Sequence, residues 1–423
     1  MKKTHQAPDT EFEIETLATD ARGIAKPAGE PIVFIEGALP GERVLASVYH
    51  QKRSFREAKL KRIVRPSPAR VTPLCPHYEC CGGCNLQHME IPSQQLFKQK
   101  WLLETLKKIG QWPIPEIEKS AAILEFVQGE TESYRQRIRL HCNSEQVGFR
   151  ARKSHSIANV HDCIVACNDM RKNWKELRAS IIDSHSQNGS DEFEVTLSAE
   201  QKLVIQPVNR RNRTLREETK NNPFFPVAHP FVGKILVHNQ SFVQPHKSAM
   251  SLYAKKIHEV MLNYINKTRP EIFVAWDLYA GSGPFSMLAS LAAESLRISC
   301  QTTAVEGVGF ATEALRKNTA PWNVECITAD VKEFCEREHT KKPHVVVLDP
   351  PRAGASPDVM HLIAKACAPN SLVINVACDA ASLARDSRVL FEHGFSLTSL
   401  TLYDMFSHTN HYETIAVFAR SQP

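Results

Sequence analysis

The sequence contains no run approaching the roughly 18 consecutive apolar residues of a membrane span, so no transmembrane segment is expected. Met1-Lys2-Lys3-Thr4-His5-Gln6 is followed by Asp9, Glu11 and Glu13 rather than by an apolar stretch. A secretory leader is therefore not expected, and the chain is read as cytoplasmic. No internal repeat is visible. With 42% hydrophobic and 23% charged residues the composition lacks the bias of a disordered chain. In a reducing compartment the twelve cysteines are not expected to form disulfides. At about 100–200 residues per domain, 423 residues predict two to four domains.

The net charge of +6 says little, but its distribution says more. Nine basic residues (Arg43, Lys52, Arg53, Arg56, Lys59, Lys61, Arg62, Arg65 and Arg70) face a single acid, Glu57, across residues 43–70. Such a block suits a polyanion-binding face, or a merely solvated basic surface. Residues 11–65 read as short strands, with Arg43–Tyr49 as the hairpin partner of Pro31–Ile35, which implies a small β-barrel or sandwich. Pro66-Ser67-Pro68 closes that unit. A helix is expected over Gln94–Ile109, with Leu96, Phe97, Leu102, Leu103, Leu106 and Ile109 facing a core. Residues 125–235 read mostly as strands, with a loop at 186–191 and the arginine run Arg210, Arg211, Arg213, Arg216. Beyond about residue 248, helices alternate with apolar strands such as Val345–Leu348 and Leu372–Val376, the pattern of a doubly wound α/β domain.

That last region carries a candidate chemistry. Asp277-Leu278-Tyr279-Ala280-Gly281-Ser282-Gly283 lies at a strand-to-helix junction, where two glycines permit a sharp turn and close approach to a ligand. Glu306 ends the next strand and suits the two hydroxyls of a ribose. Asp330 ends a later strand, within reach of an adenine amino group. Ser286 stands where a dinucleotide fingerprint has its third glycine, so the loop suits S-adenosylmethionine, which has no pyrophosphate. Asp349-Pro350-Pro351-Arg352 stiffens the chain just past a buried strand. Cys378 follows the next strand, and His408, His411 and Glu413 follow in a short polar segment. Individually these have bland readings: a buried cysteine is usually a small apolar filler, and Pro-Pro a rigid turn. Together they fit one reaction. Uracil C5 is a weak nucleophile until a thiolate adds at C6, and a base must then remove the C5 proton so that the thiolate leaves. Cys378 and Glu413 suit those two roles.

The chain resembles the RNA uracil-C5 methyltransferases, specifically those with a TRAM domain and an iron–sulfur cluster, and the resemblance covers nearly its whole length. It rests on Gly37-Ala38-Leu39-Pro40-Gly41-Glu42, Cys81-Gly82-Gly83-Cys84-Asn85-Leu86-Gln87-His88, Phe242-Val243-Gln244, Asp349-Pro350-Pro351-Arg352-x-Gly354, Cys378 with Arg385-Asp386, and Asp404-Met405-Phe406 through His411 and Glu413. It implies a class I, Rossmann-like methyltransferase domain over 238–423, a TRAM-like RNA-binding β-barrel over 1–67, and a central mostly-β iron–sulfur domain over 68–237, with a helix at 92–112 packing on the catalytic domain. It also implies Cys378 as nucleophile and Glu413 as base, with Gln244, Tyr279, Gly281, Gly283, Glu306, Asp330 and Asp349 around S-adenosylmethionine and uracil. The sequence departs from the family pattern at Ala377 and Asp379 beside the nucleophile, and at His246, Pro284 and Ser407.

Cys75, Cys81 and Cys84 crowd into ten residues, with Cys80 adjacent, and the spacing is not that of a zinc ribbon. Three thiolates need a fourth ligand, for which Cys163 and Cys167 compete. Spacing suits zinc and a [4Fe–4S] cluster equally. The resemblance implies the cluster, with Cys163 as fourth ligand. Tyr134–Arg137 and Phe149–Lys153 offer aromatic and arginine contacts to single-stranded RNA. The expected substrate is RNA, with ribosomal RNA favoured over transfer RNA, and the chain is expected to be a monomer. Two rival readings are an RNA-binding protein with a vestigial methyltransferase domain, and a zinc-stabilised enzyme that methylates another base directly.

Overall fold

The computed structural model describes residues 9–208, 223–338 and 340–420. The arginine run at Arg210, Arg211, Arg213 and Arg216 lies outside them. By internal contacts the chain forms two compact units. One gathers the chain up to Trp101 with Gly148–Ile164 and Phe406–His411; the other holds Leu102–Val147, Val165–Met405 and the segment from Tyr412 onward.

In the first unit, the strands foreseen between residues 11 and 65 form a sheet in the order Thr10–Glu13, Arg43–Gln51, Phe55–Arg65, Ile32–Ile35, Gly23–Ala25, Thr16–Leu17. Phe12, Ile14, Val33, Ile35, Val44 and Ala58 bury one face as a common core. The pairing differs from the expected hairpin. Arg43–Gln51 pairs antiparallel with Phe55–Arg65, and Ile32–Ile35 lies parallel to the latter. The turn between Ile35 and Arg43 explains the difference. Gly37 and Gly41 take φ of +78° and +81°, and the backbone of Ile14 bonds to Gly41 and Glu42. The fully buried Glu42 carboxylate accepts from Leu39 N at 2.8 Å and from Arg70 at 2.5 and 2.9 Å. The turn therefore docks on the Ile14 segment instead of folding its flanking strands together. Arg70 is thus consumed by structure, and Arg43, Arg56 and Arg65 pair with Glu11, Glu30 and Glu13.

The helix expected over Gln94–Ile109 spans Ile91–Lys108. Its apolar face is not the expected one. Leu102 and Leu106 are buried, but Leu96 and Ile109 are 64% and 56% exposed. Gln94 and Lys98 are buried in their place because backbone carbonyls receive their donors: Gln94 Nε2 bonds to Leu86 O and Met89 O, and Lys98 Nζ to Phe406 O at 3.1 Å.

The second unit is built on a sheet ordered Val324–Thr328, Ser299–Glu306, Ile272–Leu278, Val345–Leu348, Leu372–Ala377, Glu413–Arg420, Phe395–Asp404, Leu124–Gln128. The first five strands are mutually parallel, Glu413–Arg420 runs antiparallel, and Leu124–Gln128 adds a parallel edge. This is the expected doubly wound sheet, with Val345–Leu348 buried on both faces. One face packs Trp276, Leu348, Val373, Ala377, Ala416 and Phe418 into the main core. A helix at Ala249–Thr268 buries Tyr253, Ala254, Ile257, Met261, Tyr264 and Ile265, a helical spacing that marks a one-sided contact. Among the described residues of the 125–235 region, which reads mostly as strands, two helices were not foreseen, Asn168–Lys172 and Trp174–Asn188. The second overruns the start of the expected loop at 186–191 and stops at Gly189, φ +66°. Its polar sequence carries little apolar periodicity, which hid it. Among the described residues no helix is long and apolar enough to cross a membrane.

Candidate active site

Register aligns the catalytic candidates. Side chains alternate between faces along a strand. Trp276 and Leu278, Val346 and Leu348, Val373 and Ala377, and Ala416 and Phe418 occupy the main-core face. Asp277, Asp349, Cys378 and Glu413 therefore belong to the opposite face, at the ends of their strands. Ala377 pairs with Thr414, so Cys378 and Glu413 are the next partners along the antiparallel pair. Tyr403, in register with Glu413 on its other side, packs edge-to-face on Tyr253 at 5.0 Å between centroids.

The electrostatics of this face are those of buried acids without enough counter-charge. Burial pushes Glu413 up to about 8, with Asp349 adding to the shift and Arg352 opposing it. Burial likewise raises Asp349 to about 7. The Cys378 thiol rises to about 11 through burial and the charges of Glu413 and Asp349, against the pull of Arg352. At neutral pH Cys378 and Glu413 thus rest mainly in their protonated forms, and Arg352 is the charge that favours the reactive anions.

The glycine turn sits beside this group in the same sheet. Gly281 and Gly283 take φ of +56° and +82°. A Cβ on Gly283 would meet Leu315 Cδ1 at 2.5 Å, whereas one on Gly281 would meet nothing within 4 Å, so the backbone there is open to a ligand. Tyr279 also has positive φ, +63°. Glu306 braces the turn, accepting from Gly281 N and Val308 N at 2.8 Å each. Each oxygen keeps a lone pair for a further donor. Asp330 caps a short helix through Lys332 N and Glu333 N. Asp277 accepts from Ser286 Oγ, while its Oδ1 and the Ser282 hydroxyl are buried without a hydrogen-bond partner. Gln244 is buried, and its backbone carbonyl accepts from Gln136 Nε2 at 3.0 Å.

The Asp349-Pro350-Pro351 loop is held by the pair the sequence marked as Arg385-Asp386. Asp386 Oδ2 accepts from Ala355 N at 2.8 Å, Arg385 Nη2 donates to Ala353 O at 2.7 Å, and the two side chains pair at 2.7 Å. Gly354 closes the loop at φ +80°, and a Cβ there would lie 2.3 Å from Asp386 Oδ2. Gly354→Ala is therefore expected to displace the loop at a cost of about 1–3 kcal/mol, measurable as a lowered melting temperature. Methyl transfer should fall with it. The departure at Asp379 is accounted for: its side chain caps the helix Ala380–Glu392 by accepting from Ser382 N at 2.7 Å.

In the first unit, the cysteine loop is clasped from several sides. Gly82 N bonds to Arg150 O at 2.9 Å, Cys81 bridges to Ala151, and Arg152 donates to Tyr78 O and Cys84 O. Burial and the neighbouring Cys84, Cys75 and Cys80 raise the Cys81 thiol to about 11. His161 N donates to His77 Nε2 at 3.3 Å, and Asp162 acts on the Cys75 thiol, which brings the segment before Cys163 to the loop. Cys80 is exposed and turns to His77 O. None of the twelve cysteines forms a disulfide. Among the described residues no group of three or more His, Cys, Asp or Glu side chains is arranged to hold a metal ion.

The expected RNA contacts of the central region are partly spent elsewhere. Tyr134 is buried and stacked on His246 at 4.8 Å, so it offers no face to a base. Arg137 pairs with Glu194 at 2.5 Å, and Arg152 and Lys153 are drawn to Glu36. These positions read as basic or aromatic motifs, but their partners lie far off in sequence.

An ordered glycine turn, an acid on the following strand, and a cysteine and glutamate paired across strands of a doubly wound sheet define a Rossmann-like methyltransferase of class I. The family described as tRNA (Uracil-5-)-methyltransferase matches residues 231–421. A protein of Halomonas elongata described as 23S rRNA (uracil(1939)-C(5))-methyltransferase RlmD is 31% identical over 96% of this chain and 88% of its own length. Its counterpart from Shewanella sp. strain ANA-3, with the same description, is 32% identical over 96% and 95%. That from Aliivibrio fischeri strain ES114 is 29% identical over 98% and 96%. The chain belongs to the RNA uracil-C5 methyltransferase family and is an enzyme of that class.

Proposed function

We propose that this enzyme transfers a methyl group from S-adenosylmethionine to C5 of a uridine in 23S rRNA, with Cys378 as nucleophile and Glu413 as general base. The observation that carries the reading is the register that makes Cys378 and Glu413 cross-strand neighbours on the face shared with Asp349. The Cys378 thiol gives up its proton to solvent and the thiolate adds to C6 as the C5–C6 double-bond pair moves onto C5 and the C4 carbonyl, which makes C5 nucleophilic. S-adenosylmethionine supplies the methyl group. Glu413 then takes the C5 proton; the C5–H electron pair forms the C5–C6 double bond as the C6–S bond breaks. Arg352 favours both anions, and Asp349, buried beside them, suits contact with the uracil ring. The open backbone at Gly281, the unpartnered Asp277 Oδ1 and Ser282 hydroxyl, and the Glu306 carboxylate fit an adenosyl ligand. Gln244, Tyr279, Gly283 and Asp330 belong to that same proposed site. Ribosomal rather than transfer RNA is favoured because the near-full-length relatives are named for 23S rRNA.

We assign residues 1–67 to RNA binding as a TRAM-like barrel, 68–237 to a central iron–sulfur region, and 238–423 to methyl transfer. The all-thiol donor set of Cys75, Cys81, Cys84 and Cys163 fits a [4Fe–4S] cluster, whose width lets ligands stand further apart than a single ion does. Bound iron would hold these thiols deprotonated, and would tie residue 75 to residue 163. Protein purified without oxygen is expected to contain about four irons per chain. Cys81→Ser should lose them and melt at a lower temperature. Retention of full iron by that variant would remove Cys81 from the ligand set.

The test of function is transfer of labelled methyl from S-adenosylmethionine to unmodified 23S rRNA and to tRNA in parallel. Label recovered as 5-methyluridine in 23S rRNA alone is the expected result. Label in tRNA alone would reassign the substrate. Absence of label from both would overturn the reading in favour of a non-catalytic RNA-binding protein.

A further inference from the structure

We propose that Tyr253 is a positioning residue for the general base: in the enzyme–RNA complex its hydroxyl donates a hydrogen bond to the Glu413 carboxylate, one the unliganded enzyme lacks, and so favours the ionised form and orients it toward the C5 proton. The inference rests on the assignment of Glu413 as base. Tyr253 lies on the helix Ala249–Thr268 and is wholly buried, and its hydroxyl has no hydrogen-bond partner. An unpartnered buried hydroxyl costs roughly 1–3 kcal/mol, so one kept in a site asks for an acceptor that comes within reach when substrate binds. The ring packs on Tyr403, whose strand neighbour in register is Glu413. Burial first, and then the neighbouring Glu413, Asp349, Tyr403 and Cys378, hold the phenol's proton, consistent with a hydroxyl near the reactive groups. The motif reading missed it because nothing in the sequence separates Tyr253 from the other apolar positions of that helix.

The chemistry of the partners explains why a tyrosine suits this place. The groups facing Glu413 are Asp349 and Arg352 from the Pro-Pro loop, Cys378 from the adjacent strand, Tyr403 from the other, and Tyr253 from the helix. Burial and Asp349 disfavour a negative charge there. Arg352 supplies a charge. Tyr253 supplies a donor that keeps its own proton at working pH, so it lowers the cost of ionising Glu413 without competing for the proton that Glu413 must accept. Hydrogen bonds of this kind are often long in an unliganded enzyme and tighten in the complex.

The experiment follows breakdown of the covalent enzyme–RNA adduct against pH in single turnovers, comparing wild type with Tyr253→Phe. Breakdown requires ionised Glu413, so the rate falls as pH drops through the carboxyl's pKa. Loss of the donor should move that inflection up by about one pH unit, so that breakdown near pH 7 is about tenfold slower. The rate should recover at high pH, with KM for RNA unchanged. If the phenylalanine variant folds poorly, 3-fluorotyrosine at position 253, a stronger donor, should move the inflection the other way. An unmoved inflection in a folded variant overturns the inference. Glu413→Gln separates the two failures: breakdown at the wild-type rate in that variant would refute the base assignment itself.

Discussion

Cys378→Ala is expected to end methyl transfer, with kcat reduced by on the order of 10⁴- to 10⁶-fold, as for loss of other nucleophiles that act as part of a unit. Without sulfur addition at C6 there is no activated C5, and no other described group on that face offers a comparable nucleophile. Asp349 and Glu413 are buried acids held toward their neutral forms, and Arg352 is a cation. Binding of RNA should survive, because the side chain is small and removal of a thiol that burial keeps neutral leaves no unpaired charge. The measurement is twofold: incorporation of labelled methyl, and the enzyme–RNA adduct that resists denaturation. Both should vanish together. Transfer that persists in the alanine variant would establish a direct mechanism and leave Cys378 as an apolar filler of its strand end.

Glu413→Gln should behave in the opposite sense with respect to the adduct. Addition and methyl transfer precede the proton abstraction, so methylated adduct should accumulate while turnover drops about 10²- to 10⁴-fold. The pH dependence of the wild type follows from the raised pKa. Below about 8 Glu413, the proposed base, is largely protonated, so the rate of adduct breakdown should rise with pH and level off above that value, whereas kcat/KM, which needs the Cys378 thiolate, should keep rising beyond it. The same shift has a cost in stability. The folded state keeps the Glu413 proton that the unfolded chain loses near its ordinary value of 4.5, so wild type loses stability as pH rises from there through about 8. The neutral amide escapes that loss. Glu413→Gln should therefore melt progressively higher than wild type across the same window, and this difference also shows that its lost turnover is not a loss of fold.

Much of the catalytic unit was legible because its signals are local. A strand buried on both faces announces itself as an apolar run, as at Val345–Leu348, and a Gly-x-Gly between strand and helix marks a turn whatever packs around it. Cys378 and Glu413 stood out by their places just past and at the start of predicted strands. The helix faces were harder. Gln94 and Lys98 are buried because carbonyls from other segments receive them, so a rule that buries only apolar residues chose Leu96 and Ile109 instead. Arg70, Arg137 and Arg152 read as RNA contacts by charge alone, yet each is engaged by a carboxylate or carbonyls of the fold.

Sequence by itself determined the doubly wound architecture and the order of the motifs, and it singled out the candidate reacting groups, since these rest on periodicity and on chemistry carried by single residues. Only the tertiary structure decided which residues meet. Strand register makes Cys378 and Glu413 neighbours although 34 positions separate them in the chain. Helix packing sets the Tyr253 ring against Tyr403, the register partner of Glu413, and the turn at Gly37–Glu42 folds onto Ile14 rather than into a hairpin. The physical reason is common to all three. Periodicity reports which side of an element is buried, but pairing partners and hydrogen-bond acceptors are chosen by the summed packing of distant segments, which no local pattern encodes.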